Sequence, residues 1–248
     1  MNQERSSRRP LIGRIRQAPG VLLRGAPATL TWLALITLTT VVQVLLPERR
    51  ATRILRHAST NLKNLLNLRL RVLATSAFWL DGHLVLLQLL GWALLFLIVL
   101  APAERWLGTR RWVAAVLFAH LGATVITAAR LWILIHLGRQ PGSLVSAVDV
   151  GVSYGCLGVV GLSTYRFPPG WRWPYAAALA VVFLVILRFE RDFVSAGHVA
   201  ALFIGFACYP LVPTGPGLRV RMGFAHSNRY TLAEMRRSAP TTRERDES

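Results

Sequence analysis

The chain has 248 residues, of which 53% are hydrophobic, yet it carries a formal net charge of +18. A soluble domain of this length would be less apolar and richer in acidic residues, so the composition argues against an ordinary soluble protein. Long uncharged runs alternate with short arginine-bearing stretches, which is the pattern of membrane-spanning helices joined by loops.

In chain order, the sequence predicts a basic arm, a membrane domain of six helices and a polar tail. The arm comprises residues 1–25, the membrane domain residues 26–213, and the tail residues 214–248, which we expect to be disordered. All spans but the short fifth hold roughly the twenty apolar residues that a bilayer core requires. The six spans are approximately 27–46, 82–102, 112–137, 143–164, 173–187 and 193–212.

A long connector, residues 48–81, joins the first two spans. It is too charged to cross the membrane, but its repeated leucines make it amphipathic. We therefore expect it to lie in the membrane interface or to pack against the helical bundle.

The distribution of basic residues predicts the orientation of the spans. With both termini in the cytoplasm, more arginines lie on the inside than on the outside, although the connector works against this bias. We therefore predict a protein of the plasma (inner) membrane with both termini cytoplasmic. The basic arm and tail are expected to bind anionic lipid. Nucleic-acid binding is not expected, because the arginines flank hydrophobic runs and do not form one stripe.

The two cysteines, Cys156 and Cys208, both lie in apolar runs, and no ligand spacing typical of a zinc site is present. We therefore predict neither a disulfide framework nor a metal or other cofactor.

Polar residues inside the spans are informative, because each costs free energy there. Ser153 lies in the fourth span and His198 in the sixth, and helix tilt can bring their side chains level. A serine and a histidine on closely packed helices can form a nucleophile–base pair. Alternatively, the serine only bonds its own backbone. Small residues that let helix backbones approach line both spans, namely Gly151, Gly155, Gly197, Ala201 and Gly205.

Asp149 and Arg130 form a second constellation. They lie at similar distances from the outer ends of the fourth and third spans, which predicts an ion pair that neutralises both charges. The functional alternative is substrate or ion coordination, as in a small transporter. Asp149 is also expected to lie one helical turn before Ser153, on the same face.

Three short motifs give the chain a resemblance to rhomboid intramembrane proteases over residues 28–213. The segment from Glu104 to Gly108 is similar to the Glu-Arg-x-Leu-Gly segment of that family, and Gly151-Val152-Ser153 resembles its Gly-x-Ser-Gly. The segment from His198 to Gly205 resembles His-x-x-Gly-x-x-x-Gly. The motifs occur in the expected order, after span two and within spans four and six.

The resemblance implies an all-α rhomboid-like bundle with a long first connector lying partly in the membrane. It also implies a serine endopeptidase that cleaves transmembrane proteins, with Ser153 as nucleophile and His198 as general base.

Several positions depart from the family pattern. Tyr154 stands where the family has a glycine after the nucleophile, and Ala201 replaces the first glycine after the histidine. The family's oxyanion-binding histidine and asparagine correspond to Gln88 and Trp92, whose side-chain N–H groups can also donate. The departures leave two functions open, an active protease and an inactive rhomboid-like protein that binds or escorts other membrane proteins.

Overall fold

The regular secondary structure in the described part of the chain is helical. The computed structural model describes residues 25–81, 84–190 and 192–213. Within these ranges no strand is present, which confirms the all-α prediction. The tail 214–248 and nearly all of the predicted arm 1–25 lie outside the described residues.

Nine helices are numbered here in chain order within the described ranges. They are α1 (Pro27–Leu45), α2 (Glu48–Ala58), α3 (Leu62–Leu66), α4 (Val72–Thr75), α5 (Val85–Leu107), α6 (Thr109–His136), α7 (Val152–Leu162), α8 (Pro169–Glu190) and α9 (Phe193–Ala207). Helix α5 contains a π-helical stretch, Phe96–Leu100. Short 3-10 turns cover Ser76–Phe78, Gly142–Ser146, Ser163–Arg166 and Tyr209–Leu211.

Four helices have the length and hydropathy of a membrane span, namely α1, α5, α6 and α8. Helix α9 is apolar but has only 15 residues, and α7 has 11. The predicted fourth span is therefore not one continuous helix. A 3-10 turn and an irregular segment, residues 147–151, precede α7.

The connector explains why residues 147–151 need not be helical. The Thr60 N–H donates to the Asp149 carbonyl at 2.9 Å, and the Gly151 N–H donates to the Ser76 carbonyl at 3.0 Å. Ser59, Thr60, Ser76 and Asp149 are all buried. Because the protein itself satisfies these backbone groups, an irregular segment is tolerated at this place in the bundle.

Helix α7 lies at the centre of the bundle. Nine of its 11 residues are buried, and it packs against α6 and α9. Its glycines permit this close packing. A Cβ atom added at Gly205 of α9 would overlap the backbone of Gly158 in α7, and one at Gly155 would meet Trp32 and Val116. By contrast, α8 has no buried residue and lies at the periphery.

Glu104 joins three helices near the ends of α1, α5 and α6. Its buried carboxylate accepts hydrogen bonds from the N–H groups of Ala28 and Thr29 at 3.0 and 2.7 Å, and from the Thr109 hydroxyl at 2.8 Å. The carboxylate thus caps the positive end of α1. Gly108, with φ +80° and ψ 148°, makes the turn into α6 in a conformation that side chains disfavour.

We expect Glu104→Gln to lower the free energy of unfolding by about 2 kcal/mol, because an amide nitrogen replaces an oxygen that faces buried donors. The measurement is denaturant titration in mixed micelles. The control is Glu48→Gln, which removes an exposed carboxylate from the first turn of α2 and should leave stability near wild type. Equal stability of both variants would contradict the capping role.

We expect Gly205→Ala to destabilise the chain by about 1–3 kcal/mol, because the new methyl group overlaps backbone that cannot rotate away. The matched control is Gly91→Ala in α5, where nothing lies within 4 Å of the added Cβ. That variant should keep its stability or gain up to about 1 kcal/mol from helix propensity. Indistinguishable unfolding curves for the two variants would refute the close contact of α7 and α9.

Candidate active site

Ser153 and His198 lie side by side in the structure. Ser153 is the second residue of α7, after the N-cap Gly151, and His198 lies in the middle of α9. The Ser153 Oγ and His198 Nε2 atoms are 2.8 Å apart, which is hydrogen-bond distance. Both side chains are only partly buried, so a reactant can reach them.

The surroundings of the imidazole decide how it is oriented. For the serine hydroxyl to donate to Nε2, the neutral ring must carry its hydrogen on Nδ1. Among the described residues, no carboxylate bonds to this ring. Two aromatic rings pack against it edge to face instead, Tyr154 at 5.6 Å and Phe183 at 6.3 Å between centroids.

The start of α7 offers donors for an oxyanion. The first N–H groups of a helix have no acceptor within the helix, and Gly155 is the first residue whose N–H bonds back to Gly151. The N–H groups of Ser153 and Tyr154 therefore lie at the positive end of the helix, beside the Ser153 hydroxyl. Negative charge that develops on a carbonyl oxygen is stabilised at such a position.

Tyr154 does not separate the serine from the histidine. Its side chain is fully buried, and its hydroxyl donates to Asp149 Oδ1 at 2.9 Å. A Cβ atom added at Gly197 would overlap that hydroxyl. This arrangement was not predicted from the sequence. The sequence held one indication of it. Asp149 lies in an apolar run and needs hydrogen-bond donors, Tyr154 follows five residues later, and Gly197 precedes His198.

The predicted ion pair between Asp149 and Arg130 is absent, and the prediction was wrong. Asp149 is 4% exposed, and its carboxylate accepts from the Tyr154 and Thr60 hydroxyls. The prediction assumed that both residues lie on helices at matched depth, whereas Asp149 belongs to the irregular segment 147–151. It therefore does not lie one helical turn before Ser153 either, and the main observation that favoured a transporter is lost.

The two predicted oxyanion side chains are engaged elsewhere. The Gln88 amide donates to the Asp81 carbonyl at 3.0 Å. Trp92 is partly buried against the apolar cluster that contains Trp32 and Phe96. Their role in binding an oxyanion stays a prediction.

His120 supports the start of α7. Its ring is buried, and a Cβ atom added at Gly151 would overlap it. The Nε2 atom lies 2.6 Å from the Leu73 carbonyl oxygen of the connector. The residue therefore packs between the connector and the N-terminus of α7, and it does not contact the dyad through a hydrogen bond.

Two carboxylates lie at the turn between α8 and α9. Asp192 Oδ1 accepts from the Ser195 N–H at 2.7 Å, and Glu190 Oε2 accepts from the Ser195 hydroxyl at 2.6 Å. Ser195 is one helical turn before His198. No set of three potential metal ligands clusters within the described ranges.

Comparison with known protein families agrees with the three sequence motifs. Residues 21–217 match a family model described as rhomboid-like protein. Comparisons with curated proteins and with solved structures gave no match. The family match covers most of the chain and includes every residue of the site described above.

Proposed function

Because the chain belongs to the rhomboid-like family of membrane proteins, we propose that it is an intramembrane serine protease. In this proposal Ser153 is the nucleophile and His198 the general base. The observation that carries the proposal is the 2.8 Å separation of the hydroxyl oxygen and the imidazole Nε2 atom. A serine and histidine at this distance have the geometry of an activated nucleophile.

The chemistry proceeds in two stages. Ser153 Oγ attacks the carbonyl carbon of a peptide bond while its proton passes to His198 Nε2, and the oxyanion lies against the first N–H groups of α7. The carbon–nitrogen bond then breaks, and His198 gives the proton to the leaving amine. Water attacks the resulting serine ester, with His198 again accepting and returning a proton.

In this proposal the chain crosses the membrane six times. Helices α7 and α9 form the fourth and sixth crossings, each together with the short segments next to it. Both termini then lie in the cytoplasm, in the plasma (inner) membrane, with anionic lipid against the basic arm and tail. Because α8 has no buried side chain, a transmembrane substrate can reach the dyad by displacing α8.

A second candidate function is that of an inactive protein that binds or escorts transmembrane clients. Two observations favour it. Tyr154 stands where the family pattern has a glycine, and the Gln88 amide is bonded to Asp81 instead of standing free. Clients would be bound along the same peripheral face, beside α8.

We expect a fluorophosphonate probe to label the purified chain at Ser153, because the probe reports an activated hydroxyl. Ser153→Ala should abolish labelling, and His198→Ala should slow it by at least about a hundredfold, the usual contribution of a general base. The matched control is Ser163→Ala, since that buried serine follows α7 directly and donates only to the Val159 carbonyl of α7. A folded wild-type chain that the probe never labels would argue against the protease.

Cleavage and binding separate the two candidate functions. In proteoliposomes, we expect the wild-type chain and the Ser163→Ala control to cleave a transmembrane reporter. Ser153→Ala should bind the reporter without cleaving it, because only the nucleophile is missing. If wild type and Ser153→Ala bind the reporter equally and neither cleaves it, the escort function is favoured.

A further inference from the structure

We infer that Asp149 and Tyr154 are positioning residues for His198 and that the connector holds both in place. This inference rests on the proposed function, because it concerns how the base of the dyad is oriented. It is carried by the buried contacts around one tyrosine ring and one carboxylate.

The first step is the contact between Tyr154 and His198. The two rings meet edge to face, with 5.6 Å between centroids and an interplanar angle of 72°. Because Tyr154 is fully buried, its ring cannot swing aside without opening the core. The imidazole is therefore held against a fixed surface, in a site where no carboxylate among the described residues bonds to it.

The second step is the anchoring of the tyrosine itself. The hydroxyl of Tyr154 donates to Asp149 Oδ1 at 2.9 Å, which fixes the ring at its far end. The same end of the ring lies against α9 at Gly197, where an added Cβ atom would overlap the hydroxyl. The missing side chain beside His198 thus makes room for the tyrosine that orients His198.

The third step is the attachment of Asp149 to the connector. Its N–H donates to Ser59 Oγ at 2.7 Å, and its carbonyl accepts from the Ser59 hydroxyl at 3.0 Å and the Thr60 N–H at 2.9 Å. The Thr60 hydroxyl lies 3.1 Å from that carbonyl and 3.4 Å from Oδ2. All of these groups are buried, so water does not compete for them.

Together these contacts form one chain of support from the connector through Asp149 and Tyr154 to the base. Its consequence is that the docking of residues 59 and 60 sets the orientation of an imidazole on a helix far along the sequence. A change in the connector should therefore alter the reactivity of Ser153 even though the connector contains neither member of the dyad.

The test measures the kinetics of fluorophosphonate labelling for Tyr154→Phe and Asp149→Asn, two changes that keep side-chain shape. We expect the maximal rate of labelling to fall about tenfold in Tyr154→Phe, which removes the bond, and by less in Asp149→Asn, whose amide oxygen still accepts a weaker, neutral bond. The concentration for half-maximal rate should stay unchanged in both, since orientation and not access is altered. The double variant should be no slower than Tyr154→Phe alone, because Asp149→Asn acts through the bond that Tyr154→Phe already removes. Ser59→Ala should lower the maximal rate in the same way, by about threefold.

The matched control is Tyr165→Phe. Its hydroxyl also bonds to α9, at the Phe206 carbonyl, but it lies away from the dyad, and the variant should label like wild type. Thermal unfolding of each variant separates loss of orientation from loss of folding. If Asp149→Asn does not fold, Tyr154→Phe alone decides the question.

Three results would overturn the inference, each in a different way. Wild-type rates for folded Tyr154→Phe would remove the positioning role and leave the protease intact. A slow Tyr154→Phe with a wild-type Ser59→Ala would remove the role of the connector. A wild-type chain that labels no faster than Ser153→Ala would overturn the proposed function and this inference with it.

Discussion

Buried backbone polar groups must find their partners within the protein, and this constraint underlies the structure around the dyad. Residues 147–151 are not helical, so their N–H and C=O groups are not satisfied locally. The connector supplies partners through Ser59, Thr60 and Ser76. Because the irregular segment is stabilised in this way, α7 begins only at Val152, and its unpaired N–H groups lie beside Ser153 instead of several turns away.

The junction of α1, α5 and α6 depends on a single carboxylate. Glu104 caps α1 and bonds the first residue of α6, so three helices share one buried carboxylate. Helix α6 and the π-helical stretch of α5 pack against α7, and Trp32 of α1 reaches Gly155. The site thus lies on closely packed helices, whereas α8 contributes only the partly buried ring of Phe183.

Four of the six predicted spans correspond to helices long and apolar enough to cross a membrane, and Ser153 lies beside His198, because these predictions depend on patterns that are local or ordered along the chain. It could not predict that residues 147–151 are irregular, because their partners lie about 90 residues earlier. The contacts of Asp149 also explain why the predicted ion pair is not formed. Its carboxylate accepts hydrogen bonds from the Tyr154 and Thr60 hydroxyls and is not paired with Arg130. The side chain of Tyr154 was likewise unpredictable, since its direction depends on the space that Gly197 leaves.

The glycine contact between α7 and α9 has a consequence for motion. At the contact between Gly205 and Gly158 the two helix backbones lie against each other, with no flexible side chain between them. Rotating one helix against the other would therefore make backbone atoms overlap. Ser153 and His198 are therefore expected to move together, as parts of one packed unit. In the proposed protease, any opening toward the lipid would have to occur outside α7 and α9, and the dyad would stay assembled during it.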